Sequence, residues 1–238
     1  EEIATGAIDD GSSDLELGSA EEDGSEPQLV GIRFNGVQIP KGAMILNAYI
    51  QFTVDEADKF LNPFEQWIFV EDNANPSTFS STDFDISSRS LTNDSVMWTV
   101  PEGSWAADHD AGPGERTSDI GALVQYIVEK EDWAEGNAIS FVLKGDGTRT
   151  AESYDGEPTK APELVVRYLV PIELTSMVST GSDDMEESLT DGAIDDGSSD
   201  LELGSQNTDG SDPQLVGVRF TNVNIPKSAV INKAYVQF

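Results

Sequence analysis

The chain has 238 residues, which is enough for one well-formed core and part of a second. Its 45 acidic and 13 basic residues give a net charge of −32, which repels nucleic acid and anionic membrane surfaces. The chain contains no cysteine, so disulfides and thiolate metal sites are excluded, and no apolar run approaches transmembrane length.

Alternation of apolar and polar residues predicts half-buried β-strands along most of the chain. In Leu46–Val54, every second residue from Ala48 onward is apolar. The other predicted strands are Gln28–Phe34, Gln66–Val70, Ser95–Val100, Ala138–Lys144 and Pro162–Leu169. Between them lie Gly- and Pro-containing segments that predict turns, including Pro101-Glu102-Gly103 and Gly145-Asp146-Gly147.

The segment Ser118–Lys130 has helical periodicity. Its apolar side chains recur at helical spacing and are Ile120, Leu123, Val124, Ile127 and Val128. This pattern predicts an amphipathic helix with Thr117 or Ser118 as its N-cap and with Trp133 packed on the same core. Many strands and a single helix indicate an all-β fold, a jelly-roll-like β-sandwich in which one short helix covers one end.

The stretch Gly6–Phe52 occurs a second time as Gly192–Phe238, without insertion or deletion. Direct comparison finds 34 identical residues among 47 aligned positions, at an offset of 186 residues. That offset has the size of a domain and exceeds the length of solenoid units. We therefore expect residues 1–170 to be a first β-sandwich repeat that lacks its first strand. Residues 171–190 would be a connector and the first strand of the next repeat, and residues 191–238 the N-terminal part of that repeat.

The segment Pro171–Thr190 begins apolar and becomes acidic. We expect a strand in Thr175–Met185, for which the first copy has no counterpart. Because the second copy stops inside a predicted strand at Phe238, we interpret the chain as part of a longer tandem array. Its edges would be completed by neighbouring copies, in a covalent array or a head-to-tail filament. The alternative is a two-domain protein with a truncated tail.

Several long motifs resemble the DNRLRE-type domains of bacterial secreted proteins. These motifs are Ser182–Glu187, Ser198–Leu203, Gln214–Phe220, Ile225-Pro226, Ala48–Val54, Asp72–Ala74, Ile86–Arg89, Arg116–Trp133, Gly136–Ala138 and Arg149–Gly156. The resemblance spans nearly the whole chain. It implies a jelly-roll-like sandwich related to carbohydrate-binding modules and found in tandem in large extracellular proteins. It implies no catalytic residue, because the family is defined by fold more than by activity.

The acidic motif that occurs in both copies predicts a Ca²⁺ site. Hard cations take roughly six to eight oxygen ligands, and acidic side chains near Gly and Ser turns supply such oxygens. The spacing is not that of an EF-hand, and Asp beside Gly is also an ordinary turn residue. The candidate ligands are Glu1, Glu2, Asp10, Asp14, Glu16, Asp72, Glu152, Asp155, Glu186, Glu187, Asp196, Asp200 and Glu202.

Aromatic residues are candidates for a sugar-stacking face. The candidates are Tyr49, Trp67, Trp98, Trp105, Trp133 and Tyr154, with Arg149 to fix hydroxyl groups. Aromatic side chains in a sandwich pack more often in the core, so we expect most of this set to be structural.

The sequence has no pattern typical of catalysis. Its single histidine, His109, lies between Asp108 and Asp110 in a Gly-containing loop, and no nucleophile elbow, P-loop or HExxH motif occurs. We therefore expect an extracellular or cell-surface structural module, not an enzyme. It would form a calcium-stabilised fibre, matrix or adhesin stalk with neighbouring copies of itself. The alternative is a carbohydrate-binding module of a secreted protein, with extracellular glycans as partners.

Overall fold

The computed structural model describes residues 1–21, 23–100 and 103–238, without the side chains of residues 58–62. The chain divides into two units, Glu1–Pro171 and Ile172–Phe238. The structure is 33% strand and 6% helix, with several antiparallel sheets, which confirms the all-β class. Pro101 and Glu102 of one predicted turn lie outside the described residues.

The first unit is built on an antiparallel sheet of five strands and a smaller sheet of two. Its elements are β1 Asp14–Leu17, β2 Val30–Phe34, β3 Met44–Gln51, β4 Val54–Val70, β5 Val96–Thr99, α1 Gly121–Val128, β6 Ile139–Glu152 and β7 Glu163–Leu169. In the larger sheet, β4 and β6 are adjacent, β5 lies beside β4, and β1 and β2 lie beside β6. The smaller sheet pairs β3 with β7.

Both sheets of the first unit contribute to one hydrophobic core. Phe141 from the larger sheet and Ala48 and Ile50 from β3 are fully buried in the same cluster. Phe52 and Val54 continue the buried face. The predicted alternation from Ala48 to Val54 is therefore confirmed, although β3 ends at Gln51 and β4 begins at Val54.

β6 continues through Gly145-Asp146-Gly147, where the sequence predicts a turn. That prediction is wrong because the glycines permit close strand packing. A Cβ on Gly145 would lie 2.0 Å from the carbonyl oxygen of Glu65 on β4, and Gly147 has a φ of 90°. The register between β4 and β6 also shifts just before Glu65. Glycine thus lets the strand pass through an irregular stretch of the ladder.

The helix is shorter than the predicted Ser118–Lys130, since α1 spans Gly121–Val128. Its N-cap is Ile120, which corrects the prediction of Thr117 or Ser118. Thr117 has another role, because its hydroxyl oxygen accepts a hydrogen bond from the backbone N–H of Ile50 at 3.0 Å. That bond ties the residues before α1 to β3.

The predicted apolar face of α1 is buried. Its core residues include Leu123, Val124 and Ile127, which confirms their assignment. Trp133 is also buried, and its indole N–H donates to the carbonyl oxygen of Ile39 at 3.0 Å. Among the described residues, no helix is long and apolar enough to cross a membrane.

The second unit contains β8 Asp184–Ser188, β9 Ile194–Asp195 and β10 Gln214–Val218, with β8 between the other two. β8 lies in the latter half of residues 171–190, where the first strand of the next repeat is predicted, although a 3-10 turn over Gly181–Asp183 delays its start until Asp184. β8 pairs with β10 in antiparallel register, with Glu186 opposite Val216.

The repeated sequence has similar backbone turns in both units. Five pairs of equivalent residues have positive φ, namely Gly6 and Gly192, Gly18 and Gly204, Gly24 and Gly210, Gly36 and Asn222, and Gly42 and Ser228. Asn222 and Ser228 also have positive φ although they are not glycine, and positive φ is uncommon for residues that carry a side chain. The two copies therefore share these turn conformations, but residues 200–203 and 230–237, the counterparts of β1 and β3, do not form strands, so the strand predicted at the end of the second copy is wrong.

Candidate functional site

Five acidic residues of the second unit line a cavity of about 100 Å³. Glu186 on β8 lies opposite Asp195 on β9, and Asp184 lies two residues earlier on β8. The loop after β9 adds Asp196 and Asp200 to the same cavity. Three of the predicted ligands, Glu186, Asp196 and Asp200, are thus brought together. Asp195 belongs to the repeated acidic motif, but neither it nor Asp184 is among the candidate ligands, because their place in the cavity depends on strand pairing.

A sixth acidic residue, Glu202, approaches the buried side chain of Glu186. The backbone N–H of Glu202 donates to Oε1 of Glu186. Hydrogen bonding between the two carboxyl groups raises the pKa of Glu202, and desolvation and the charges of Glu186 and Asp200 raise it further. Adjacent carboxylates repel when both are ionised. The charge of this cavity therefore favours a cation as its complement.

The carboxylates surround the cavity but do not close on one point. Within the described ranges, no group of three or more His, Asp or Glu side chains is arranged to hold a metal ion. Oxygen donors are the ligand type that Ca²⁺ prefers, so the residues fit a hard cation in chemistry. Direct coordination would require the side chains to rotate toward the cavity.

The equivalent acidic motif of the first unit has a different environment. Asp14 and Glu16 belong to β1, and Asp14 lies opposite Glu152 on β6. The carboxylate of Asp14 accepts a hydrogen bond from the hydroxyl of Ser12 at 2.8 Å. Asp10 is exposed in the preceding loop. Strand pairing thus joins two predicted ligands, Asp14 and Glu152, that are far apart in sequence.

Glu152 is the buried centre of an ionic network. Its Oε1 lies 3.0 Å from Nδ1 of His109 and 3.2 Å from Nζ of Lys160. Asp55, which the sequence analysis did not select, has a raised pKa, first because of burial and then because of nearby negative charges. Those charges are Glu152, Asp14, Glu56 and Asp108. Since Lys160 already pairs with Glu152, this cluster is a weaker candidate for a metal than the cavity of the second unit.

Asp72 is a member of an ion pair. Its carboxylate contacts Nζ of Lys130, and it accepts a hydrogen bond from the hydroxyl of Tyr126 at 2.8 Å. The bond with Lys130 is the main cause that lowers the pKa of Asp72, and the bond with Tyr126 is the second. The structure thus gives Asp72 a role in joining the start of a loop to the end of α1.

The remaining predicted ligands have other surroundings. Glu1 accepts hydrogen bonds from two backbone N–H groups, of Ile86 at 2.9 Å and of Ser87 at 3.1 Å. Glu2 accepts one from the hydroxyl of Thr5 at 2.6 Å. Asp155 is exposed in the loop after β6, and Glu187 follows Glu186 on β8, so their side chains take opposite faces.

Most of the predicted aromatic set belongs to the core or to packed surfaces. Trp98, Trp105 and Trp133 are at most 2% exposed, and Trp98 stacks on Phe52 with 5.3 Å between ring centroids. Tyr49 is half-buried beneath a guanidinium group. Arg149 is also buried and is not on the surface to fix sugar hydroxyls.

Trp67 and Tyr154 are the exposed members of this set, at 44% and 69%. Trp67 lies on the outer face of the larger sheet, with Met97 of β5 on one side and Lys144 of β6 on the other. Alternation did not single out Trp67, because Gln66–Val70 carries apolar residues on both faces. Pairing with β5 and β6 distinguishes its outer face from the core.

No protein-family model, no curated protein and no solved structure matches this chain. The resemblance to DNRLRE-type domains therefore stays a prediction that rests on the sequence motifs. Function has to be inferred from the acidic cavity, the exposed aromatic residues and the internal duplication.

Proposed function

We propose that the chain is an extracellular structural module whose jelly-roll-like repeats are stabilised by Ca²⁺ and joined to neighbouring copies. The observation that carries this proposal is the cavity lined by Asp184, Glu186, Asp195, Asp196 and Asp200. A divalent cation there would offset the negative charge of these carboxylates and so reduce the repulsion between them in the folded chain.

The dimensions of the cavity suit a hydrated or partly hydrated ion. Its volume of about 100 Å³ compares with a share of roughly 30 Å³ for one water molecule in the liquid. An ion could therefore be bound through carboxylates and a few waters, which is a coordination that Ca²⁺ accepts because its geometry is flexible. Mg²⁺ demands a stricter octahedral arrangement and is the less suitable ion.

The duplication supports a structural role. The acidic loop and its turns recur with 34 of 47 residues identical, and a spacer or fibre is made of such close copies. The resemblance to domains of secreted proteins supports the extracellular location. Neighbouring copies are accordingly the partners that this function requires.

Calcium titration by isothermal calorimetry tests the cavity. We expect the chain to bind Ca²⁺ and the double substitution Glu186→Gln with Asp195→Asn to weaken binding at least tenfold, about 1.4 kcal/mol. Glu173→Gln is the matched control for each single substitution of that pair, because it likewise removes one negative charge, here from an exposed residue of the same unit that does not line the cavity. Equal loss in the control would mean that net charge, not the cavity, attracts the ion.

A carbohydrate-binding module is the second candidate function. One observation favours it, the exposure of Trp67 on a sheet face between polar and apolar neighbours. An indole in this position offers a flat surface that is apolar yet reachable from solvent.

A further inference from the structure

The outer face of the β5–β4–β6 ladder carries an ordered surface around Trp67. In one row, Met97, Trp67 and Lys144 lie side by side on the three strands. In the next row, Thr99, Glu65 and Asp146 do the same. All six side chains are exposed, and we call this surface the Trp67 face.

The Trp67 face is exposed to solvent, whereas the opposite face of the same strands is buried. Its indole is 44% exposed and the neighbouring Met97 is 47% exposed, whereas Trp98, the next residue on β5, is 1% exposed. Adjacent exposed apolar side chains of this size mark interaction surfaces more often than chance exposure of one residue does. The Nζ of the neighbouring Lys144 lies 4.7 Å from the ring centroid of Phe69.

The charges on and around this face select the kind of ligand. The carboxylates of Glu65 and Asp146 repel an anionic ligand at this face. The same carboxylates and the hydroxyl of Thr99 can accept hydrogen bonds from hydroxyl groups, and Lys144 can donate them. An uncharged ligand that is rich in hydroxyls and has one apolar side satisfies all of these groups.

We infer that the Trp67 face binds an uncharged polysaccharide, with a pyranose ring stacked on the indole. The C–H groups on one side of such a ring pack on an aromatic surface. Its equatorial hydroxyls then point sideways, toward the polar side chains around the indole. This inference deepens the second candidate function and does not depend on the calcium proposal.

Binding is tested by incubating the 238-residue chain with insoluble cellulose, chitin, mannan and β-1,3-glucan and measuring the protein left in solution. We expect retention on at least one of these uncharged polymers. Trp67→Ala should weaken retention about tenfold, or about 1.4 kcal/mol. Tyr154→Ala is the matched control, because it removes an even more exposed aromatic ring that lies off this face, and it should bind as the unmodified chain does.

Tryptophan fluorescence gives a readout that needs no substitution. The other three tryptophans are at most 2% exposed, so acrylamide quenching in the unmodified chain reports mainly on Trp67. A soluble oligosaccharide of the retained polymer should protect Trp67 from acrylamide. Retention unchanged by Trp67→Ala, or preference for polyanions such as alginate, would overturn this site while leaving carbohydrate binding itself in place. No retention on any polysaccharide would overturn both, and a dimer that Trp67→Ala dissociates would assign the face to a second copy.

Discussion

Asp55 lies at the start of β4, in the electrostatic field of the carboxylates of Glu152 and Asp14. Burial and this repulsion raise its pKa, so the fold disfavours its charged form. The first unit therefore contains an acidic residue whose ionisation opposes folding. Asp72 is the opposite case, because Lys130 and Tyr126 lower its pKa and favour its charged form.

Replacing Asp55 with asparagine tests the repulsion. Because the folded pKa is raised, the penalty is absent below the unfolded value of 3.8, grows as pH rises above that value, and is complete once pH exceeds the folded pKa. We expect Asp55→Asn to stabilise the chain at pH 7 by less than about 1 kcal/mol, since the site is partly solvent-screened. The gain should disappear near pH 3.5, as measured by urea unfolding at both pH values. A variant that is no more stable than the parent at pH 7 would contradict this reading of the cluster.

The roles of single residues were predictable only where one face of a strand was distinctly apolar. Ala48 and Ile50 alternate with polar residues, so their burial followed from the pattern. Trp67 and Trp98 could not be separated in this way, because their exposure depends on which face of the ladder meets the core. Asp195 lies in the repeated acidic motif but is not among the candidate ligands for a similar reason, since β8 and β9 must pair before Glu186 and Asp195 face each other.

At the scale of elements, one turn signal is overridden by strand pairing. Gly145 and Gly147 predict a turn by composition, yet β6 passes through both of them. The helix was located correctly but predicted too long, because Thr117 bonds to β3 before α1 begins. Both errors have one cause: a local sequence signal competes with pairing to a strand that is distant in sequence.

Gly145→Ala tests the close approach of β6 to β4. The added methyl group would meet the carbonyl oxygen of Glu65 at 2.0 Å, and its three nearest atoms are all backbone atoms of Glu65 and Gln66, so no flexible side chain can move aside. We expect a loss of about 1–3 kcal/mol, the usual cost of overpacking, measured by chemical denaturation. Gly11→Ala is the matched control, because a Cβ at Gly11 has no atom within 4 Å, and it should change stability little. Equal effects of the two substitutions would show that the close approach of β6 to β4 does not require glycine at position 145.

For the whole molecule, the dominant fact is a net charge of −32 in a chain that nevertheless forms ordered sheets. Self-repulsion of this size favours expansion, and bound cations or high salt would oppose it. The duplication increases this self-repulsion, because each copy contains the same acidic loop. Calcium binding would therefore act on stability and on the packing of neighbouring copies together.

The melting temperature of the 238-residue chain, with a chelator and with millimolar Ca²⁺ in low salt, tests the calcium proposal most directly. Ca²⁺ at about 100 times its dissociation constant should add about 2.7 kcal/mol per site. For a chain of this length that corresponds to a rise of roughly 5–10 °C. We expect Glu186→Gln with Asp195→Asn to remove most of the rise and Glu173→Gln to retain it. Identical melting with chelator and with Ca²⁺ would contradict the account.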